Sequence, residues 1–355
     1  MPRKILSHLL RAETPVILRP TLNRATLRWI RRWLSECDLE RYRINRTRMQ
    51  RLAVYSQQVL QGLRDYHQLD YQQTQGVLQL FRSERERRMA EPALTLLAEN
   101  GIAHRLVEPD EARRIEPGLA PDAALAGALY LPQDEAGNCP LFAKQLRRVA
   151  SSMGVHFSFA SMVQAIEPVA GGMMLHIDDN KFPADAVVVA AGMDSARLLK
   201  PLGIAIPLHP VIGYSATAAI RDFDRAPQSA VLDDAYKVAV TRMGSRIRVA
   251  GMAEIGASSS EMHERATRTL IKVGSDWFPH AANYMKANLW WGVRPMLPDG
   301  PPLLGATPVR NLYLNIGHGS AGWAAAAGAG LLLADIVSGH TPEIDMDGLT
   351  LARYG

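Results

Sequence analysis

The stretch NLYLNIGHGSAGWAAAAGAGLLLADI, Asn311 to Ile336, decides how this sequence folds. Leu312 to Asn315 reads as a strand, a glycine-rich turn follows, and a helix of small residues closes the unit. Gly317, Gly319 and Gly322 carry no Cβ, so the backbone there can approach a phosphate or a flat ring closely. Ser320 is placed to cap the helix, whose first N–H groups carry positive potential. GHGSAG is a literal GxGxxG in the strand–turn–helix setting of a dinucleotide fingerprint. That fingerprint also asks for a second strand ending in an acid about 20 residues on. The chain continues instead through SGHTPEIDMDGLTLARYG, which has acids but no apolar strand. The turn is therefore half of a site, its competing reading being an ordinary connection that uses glycine for geometry alone.

ADAVVVAAGMDSARLL supplies a second turn. An apolar strand, Ala186 to Ala191, ends at Gly192 and leads into a short helix. Uninterrupted apolar strands run in parallel sheets, and ligands bind at their carboxyl ends. The two turns together predict a cofactor lying across two strand ends. In a third segment, WWGVRPMLPDGPPLLGATP, Arg294 follows an apolar strand and lies one connection upstream of the glycine turn. An arginine so placed can clamp a carboxylate with two parallel hydrogen bonds. Its other reading is an ion pair with Asp299 or another acid.

Composition narrows the class. With 355 residues, 47% hydrophobic and 21% charged, the chain is long enough for two domains or one elaborate one. Cys37 and Cys139 stand far apart in no metal-ligand spacing, which argues against a disulfide framework or a metal site and for a reducing compartment. The opening MPRKILSHLLRAETP lacks the apolar run and cleavage site of a signal peptide. Ser320 to Ala334 falls short of the ~20 apolar residues of a membrane span. Residues 1–51 hold thirteen Lys and Arg against four acids, a net +9 that leaves −4 for the rest. Among them Trp29, Ile30, Trp33 and Leu34 share one helical side and Arg24, Arg28, Arg31 and Arg32 fall largely elsewhere. Such a helix either lies in a membrane interface or covers a core with its apolar stripe. No nucleic-acid-binding motif accompanies the charge.

The first 70 residues read as helical, GVLQLFR as a strand, and SERERRMAEPALTLLAENG as one helix behind the capping box Ser83–Glu86. A strand in AGALYLP and a helix in NCPLFAKQLRRVASSMG follow. Short strands come next in VHFSF, MVQAIEPV, MMLHID and DAVVVAAG. Beyond Pro207 the pattern is mainly strands, in LHPVIGYSATAAI, YKVAVTR, RIRVAGMAEI and KANLWWGVRP, with one helix in SSEMHERATRTLIKVGSDWF.

These segments, with the strand ending in Gly192, GVRPMLPDG and GHGSAGW in this order, resemble the FAD-dependent D-amino acid oxidase superfamily over nearly the whole chain. The bacterial D-amino acid dehydrogenase branch (small subunit) is the part of it most resembled. The resemblance implies an α/β fold in which a Rossmann-like FAD-binding domain, residues 1–75, 136–204 and 302–355, interleaves with a mainly antiparallel α+β substrate domain, residues 76–135 and 205–301. There is one departure. The family pattern opens with a strand, GxGxxG, helix and acid that hold the nucleotide half of FAD, whereas the only GxGxxG here is the late one. Residue 1 is expected to fall after that unit, leaving the fold incomplete at its N-terminus and DAVVVAAG with an open edge. A start-site error, a decayed product and a non-catalytic homologue unable to hold FAD are the readings this raises.

By the resemblance, Gly317, His318, Gly319 and Ser320 lie beside the pyrimidine edge of the flavin ring, with Gly322 opening the helix. Ala190, Ala191 and Gly192 pass close to the cofactor, and Val163 meets the adenine through its backbone. Arg294 binds the substrate carboxylate with help from Tyr214 or Tyr236, between which the sequence does not choose. Hydride passes from the substrate Cα to flavin N5, and the imino acid hydrolyses to a 2-oxo acid and ammonia. His318 is a base, a flavin-facing hydrogen-bonding group or a structural histidine. The implied partners are a D-amino acid and a membrane quinone, with a cytoplasmic location, peripheral at the inner membrane. Glycine, sarcosine or a D-hydroxyproline-like amine is the alternative substrate.

Overall fold

The structure, a computed structural model, describes residues 15–19, 23–256 and 263–354. The elements begin with β1 (Val16–Leu18), α1 (Arg24–Ser35), α2 (Leu39–His67), β2 (Thr74–Phe81), α3 (Glu84–Met89), α4 (Glu91–Glu99), β3 (Arg105–Val107) and α5 (Pro109–Ile115). They continue with β4 (Gly127–Ala136), α6 (Cys139–Ser152), β5 (Val163–Val169), β6 (Gly172–Ile177), β7 (Asn180–Ala184), β8 (Val187–Val189) and α7 (Ser195–Leu199). The remainder are β9 (His209–Ala219), β10 (Ala230–Asp233), β11 (Val238–Met243), β12 (Arg246–Ile255), α8 (Glu264–Trp277), β13 (Asn288–Met296), β14 (Leu303–Ala306), β15 (Leu312–Ile316) and α9 (Gly322–Val337).

A nine-stranded sheet in the order β13-β9-β12-β11-β10-β2-β4-β3, with β1 joined to β12, forms the larger layer. Most of its pairs are antiparallel, and β2–β10 and β1–β12 are parallel. Because side chains alternate along a strand, one face collects Leu78, Val240, Val249 and Ala216 and packs them on Trp277 of α8. The opposite face carries Val211, Gly213 and Ser215 of β9 and Arg294 of β13, paired as Arg294↔Val211 and Gly292↔Gly213. Two smaller sheets lie beside it, β14-β15-β8 and the antiparallel β5-β6-β7.

α9 packs along α2 at a point where only glycine fits. A Cβ on Gly328 would stand 2.8 Å from the Ser56 Cα, and the Gly328 N–H donates to Ser56 Oγ at 3.0 Å. Leu52 and Tyr55 of α2 meet Ala325, Ala329 and Leu332 of α9 in the same cluster. By length and hydropathy the helical stretch Gly319–Val337 could span a membrane, yet one side of it is occupied by α2.

Several sequence expectations are revised. The helix expected from Ser83 to Asn100 breaks at Ala90, because Pro92 has no N–H to continue the hydrogen-bond ladder. The capping box is present: Ser83 Oγ accepts from the Glu86 N–H, and Glu86 Oε2 accepts from the Arg82 N–H at 2.7 Å. VHFSF is irregular rather than a strand. Val16–Leu18, expected as helix within the cofactor-binding part, is a strand of the large sheet. Residues 1–14 and the start of the helix expected from Ser259 lie outside the described residues. In α1 the apolar stripe faces inward: Trp29 is 5% exposed and stacks on His209 at 4.9 Å and on Trp33 at 6.1 Å. The tryptophans that a membrane interface would need are thus held in packing with Val211 and Ile255.

Candidate active site

The two glycine turns leave the same edge of one sheet. β8 and β15 are parallel neighbours in register Val187↔Leu312 to Val189↔Leu314, so Ala190–Gly192 and Gly317–Gly322 emerge side by side. Gly192, Gly317 and Gly319 all take left-handed φ values, +55°, +78° and +53°. A Cβ on Gly317 would collide with Leu297, and one on Gly319 with the Met296 sulfur. Both turns touch the end of β13, where His318 forms an isolated bridge with Met296. Arg294 lies two residues before that bridge. The chain therefore brings Gly192, the Gly317–Gly322 turn and Arg294 to one place.

Ser320 does not cap the helix as expected. Gly319–Ala321 continues the turn as a 3-10 segment, and α9 starts only at Gly322 with Ala321 as its cap and no side-chain hydrogen bond. The N–H groups of its first turn are thereby left for a ligand that carries negative charge. His318 is largely enclosed; its Nε2 is buried with no hydrogen-bond partner among the described residues. Burial lowers its pKa from the ordinary 6.5 to about 4, so the ring is neutral at physiological pH.

Val163, Ala190 and Ala191 line a second place, a groove of ≈ 750 Å³ with Met162, Val188 and Leu198. It runs along the open side of β8, which pairs with β15 alone among the described residues and leaves Val188 42% exposed. Val163, expected at the adenine, thus shares one apolar groove with Ala190 and Ala191, expected close to the cofactor.

Arg294 is held flat on its sheet. Its Nη1 donates to the Met252 carbonyl at 2.7 Å, and its guanidinium lies where a Gly213 Cβ would be. The carbonyl is turned toward it by a bulge between Gly251 and Glu254, in which Met252 takes a φ of +64°. Burial lowers the pKa of Arg294 from its ordinary value, but a guanidinium stays charged at neutral pH. The competing reading of this arginine, a pair with Asp299, is not realised, because Asp299 pairs with Arg353.

Neither tyrosine expected to assist Arg294 stands beside it. Tyr214 pairs with Trp291 and so points to the opposite, core face; it is 2% exposed and donates to the buried Glu254 carboxylate, which also receives Arg19. Burial pushes its phenol pKa up, so it stays protonated. Tyr236 is also in that core, with the Arg82 guanidinium 5.0 Å from its ring centroid. Sequence reading missed the residues that shape the Arg294 face: Gly213, Gly292 and the Met252 carbonyl. The signal was available, since isolated glycines inside the strands GYSATAAI and WWGVRP mark close approach of something to the backbone.

Residues 23–336 match the DAO family of FAD dependent oxidoreductases. The chain belongs to this family. It is 43% identical over 359 residues to a D-amino acid dehydrogenase of Vibrio cholerae, with 100% of this chain and 85% of that protein aligned. A D-amino acid dehydrogenase of Allorhizobium ampelinum is likewise 43% identical, with the same coverage. Among solved structures, glycine oxidase from Geobacillus kaustophilus superposes with a TM-score of 0.76 at 26% identity, covering 85% of this chain and 82% of its own. L-proline dehydrogenase from P.horikoshii shares the fold, with a TM-score of 0.75 at 15% identity, covering 86% and 82%.

FAD is the cofactor of the DAO family, and the described residues fit it at two points. The positive-φ glycines, the unpartnered His318 nitrogen and the uncapped start of α9 suit a flat ring that gains negative charge on reduction. The apolar groove at Val163 suits the adenine.

Two expectations follow. Gly319→Ala places a Cβ against Met296 at a left-handed φ, and is expected to weaken FAD binding at least tenfold while costing about 1–3 kcal/mol of stability. Flavin titration and urea unfolding on the same sample check both numbers; unchanged affinity contradicts the ring-side assignment. The second concerns acid. The unfolded chain protonates His318 below about pH 6.5 and the folded chain only near 4. Stability is therefore full above about pH 6.5 and falls as pH drops toward 4, by about 3 kcal/mol from this residue. His318→Gln should flatten the slope of unfolding free energy against pH in that interval, leaving a remainder from His209, whose pKa burial also lowers. An unchanged slope contradicts the burial of a neutral ring.

Proposed function

We propose that this protein oxidises D-amino acids to 2-oxo acids and ammonia with FAD. The observation that carries the reading is Arg294, a charged guanidinium pinned by Met252 two residues before the bridge to His318. Bound FAD supplies the acceptor for a hydride from the substrate Cα. Arg294 uses one N–H on Met252 and keeps others for the substrate carboxylate, which orients the amine-bearing carbon. Neutral His318 offers a hydrogen bond without adding charge. The N–H groups of Gly322 and the residues after it stabilise negative charge that develops beside the turn formed by Gly317, Gly319 and Ser320. Val163, Ala190 and Ala191 hold the adenine side, and Gly192 lies with the turn at the ring side. No base is needed if the amine arrives neutral, and the imino acid released hydrolyses in water.

Among the described residues, the cofactor part is assigned to those within 23–75, 136–204 and 302–354, and the substrate part to those within 76–135 and 205–301. The electron acceptor is a quinone at the cytoplasmic face of the inner membrane. What supports contact there is the exposed basic side of α1, with Arg24, Arg28 and Arg31, since its tryptophans pack inward. The 43% identity to D-amino acid dehydrogenases favours D-amino acids over glycine, the substrate suggested by the more distant structural likeness. Formation of 2-oxo acid in the presence of an artificial electron acceptor tests this with D-alanine, L-alanine, glycine and sarcosine. Turnover led by D-alanine supports the reading. Turnover led by glycine or sarcosine replaces it, and turnover of L-alanine alone rules it out.

A further inference from the structure

Along the same sheet face, beyond Arg294, the side chains form a second cationic place. Gly213 and Gly292 are paired directly across β9 and β13. The Arg294 guanidinium lies over the first, and the six-membered ring of Trp290 lies over the second. The missing Cβ atoms let both groups lie flat and side by side, because cross-strand neighbours are about 5 Å apart. Arg248 of β12 also meets that indole, its guanidinium carbon 5.4 Å from the ring centroid. Arg248 is half-buried and meets no carboxylate among the described residues; the Cys139 thiol is the titratable group that interacts with it. Ser215 pairs with Trp290 on β13 and Ala250 on β12, on this same face. It is 1% exposed, and its Oγ is buried without a hydrogen-bond partner among the described residues. Ser215, Thr217, Arg248, Asn288 and Trp290 line a cavity of ≈ 300 Å³ here.

A lone arginine on a strand is usually a solvated group. Here three features point to a ligand instead: a cavity, an unsatisfied buried hydroxyl, and a guanidinium braced on an indole rather than paired with an acid. The buried hydroxyl and the unpaired cation both gain by meeting an anion with acceptor oxygens. Arg294 and Arg248 both stand beside the same indole on one sheet face, an arrangement that suits a short molecule with a carboxylate at each end.

We infer that Arg248, Trp290 and Ser215 form a side-chain subsite for a second carboxylate, so that the protein's preferred substrates include dicarboxylic D-amino acids of the D-glutamate class. This rests on the reading of Arg294 as the holder of the α-carboxylate. The α-carboxylate meets Arg294, the aliphatic carbons cross the Trp290 indole, and the distal carboxylate meets Arg248 and the Ser215 hydroxyl. The chemistry at Cα is unchanged.

The test compares D-glutamate with its neutral isostere D-glutamine on the FAD-loaded protein. In the wild type kcat/KM is expected to favour D-glutamate, and in Arg248→Met the D-glutamate to D-glutamine ratio is expected to fall about 30-fold. Arg248→Lys, which keeps the charge, should retain most of the ratio. A readout independent of turnover uses glutarate and pentanoate, carboxylates with no amine to oxidise. Glutarate should bind the wild type at least tenfold more tightly by calorimetry, and Arg248→Met should abolish that difference. An unchanged D-glutamate to D-glutamine ratio, or equal binding of the two carboxylates, overturns the subsite while leaving turnover of D-alanine, and the function proposed above, intact. Loss of all D-amino acid turnover in the wild type, with the glutarate preference kept, overturns that function and leaves the two-arginine site as a dicarboxylate site.

Discussion

Arg294→Met is expected to lower kcat/KM for D-alanine about a thousandfold, roughly 4 kcal/mol, the scale of removing one partner from a desolvated charge pair. The guanidinium is a fixed fork, with one N–H on the Met252 carbonyl at 2.7 Å and the plane settled over Gly213. Little rotamer freedom remains to be lost when a carboxylate arrives, so most of the charge-assisted bond appears as binding. Methionine keeps the apolar stem and leaves the substrate carboxylate without its counter-charge. Arg294→Lys keeps the charge but has no planar fork to serve the carbonyl and two carboxylate oxygens together, and is expected to retain about a tenth to a hundredth of the wild-type value. Steady-state kinetics on both variants check this. A loss under tenfold in Arg294→Met would mean that the α-carboxylate binds elsewhere.

Asp233→Ala carries the largest expected cost in stability, about 4 kcal/mol, although the residue lies away from the site. Asp233 is fully buried in β10. One carboxylate oxygen accepts from Arg82 Nε at 2.7 Å and from the Trp277 indole N–H at 2.7 Å, and the other accepts from the Tyr236 backbone N–H at 3.0 Å. Arg82 lies 5.0 Å from the Tyr236 ring centroid and 4.8 Å from that of Trp277, and also reaches Asp276 at 2.8 Å. Alanine leaves a guanidinium nitrogen, an indole N–H and a backbone N–H short of an acceptor in a dry layer between the sheet and α8. Asp233→Asn preserves shape and one acceptor, and should cost about half as much. The shift of the urea midpoint at constant slope gives the value. A cost below about 1 kcal/mol would show that water or rearrangement satisfies these donors.

What the sequence made legible were the local units whose chemistry is written in adjacent residues. The β15 turn and α9 announce themselves by glycine spacing, β8 by its apolar run, and α3 by Ser83 with Glu86. Arg294 was found because a proline-rich connection leads from it into the glycine turn. What stayed hidden depends on pairing between distant segments. Whether Tyr214 or Gly213 faces Arg294 is decided by the register of β9 against β13, and a one-residue difference exchanges the two faces. The Met252 carbonyl is aimed by a bulge in β12 that shows only in its pairing with β9. The stripe of Trp29 and Trp33 looked the same for a membrane and for a core, and only its packing on His209 and Val211 distinguishes them. Ser320 misled because capping depends on where the helix starts, and the 3-10 turn moves that start to Gly322.

The most direct test of the account is the visible absorbance of the protein, loaded with FAD and desalted, before and after anaerobic addition of D-alanine. Retained flavin bands that bleach with D-alanine and persist with L-alanine are the result predicted by the proposal that the paired glycine turns hold the ring and Arg294 presents a D-substrate to it. A colourless protein after desalting, or retained bands that D-alanine leaves unchanged, would contradict the claim that these turns and Arg294 make one working site.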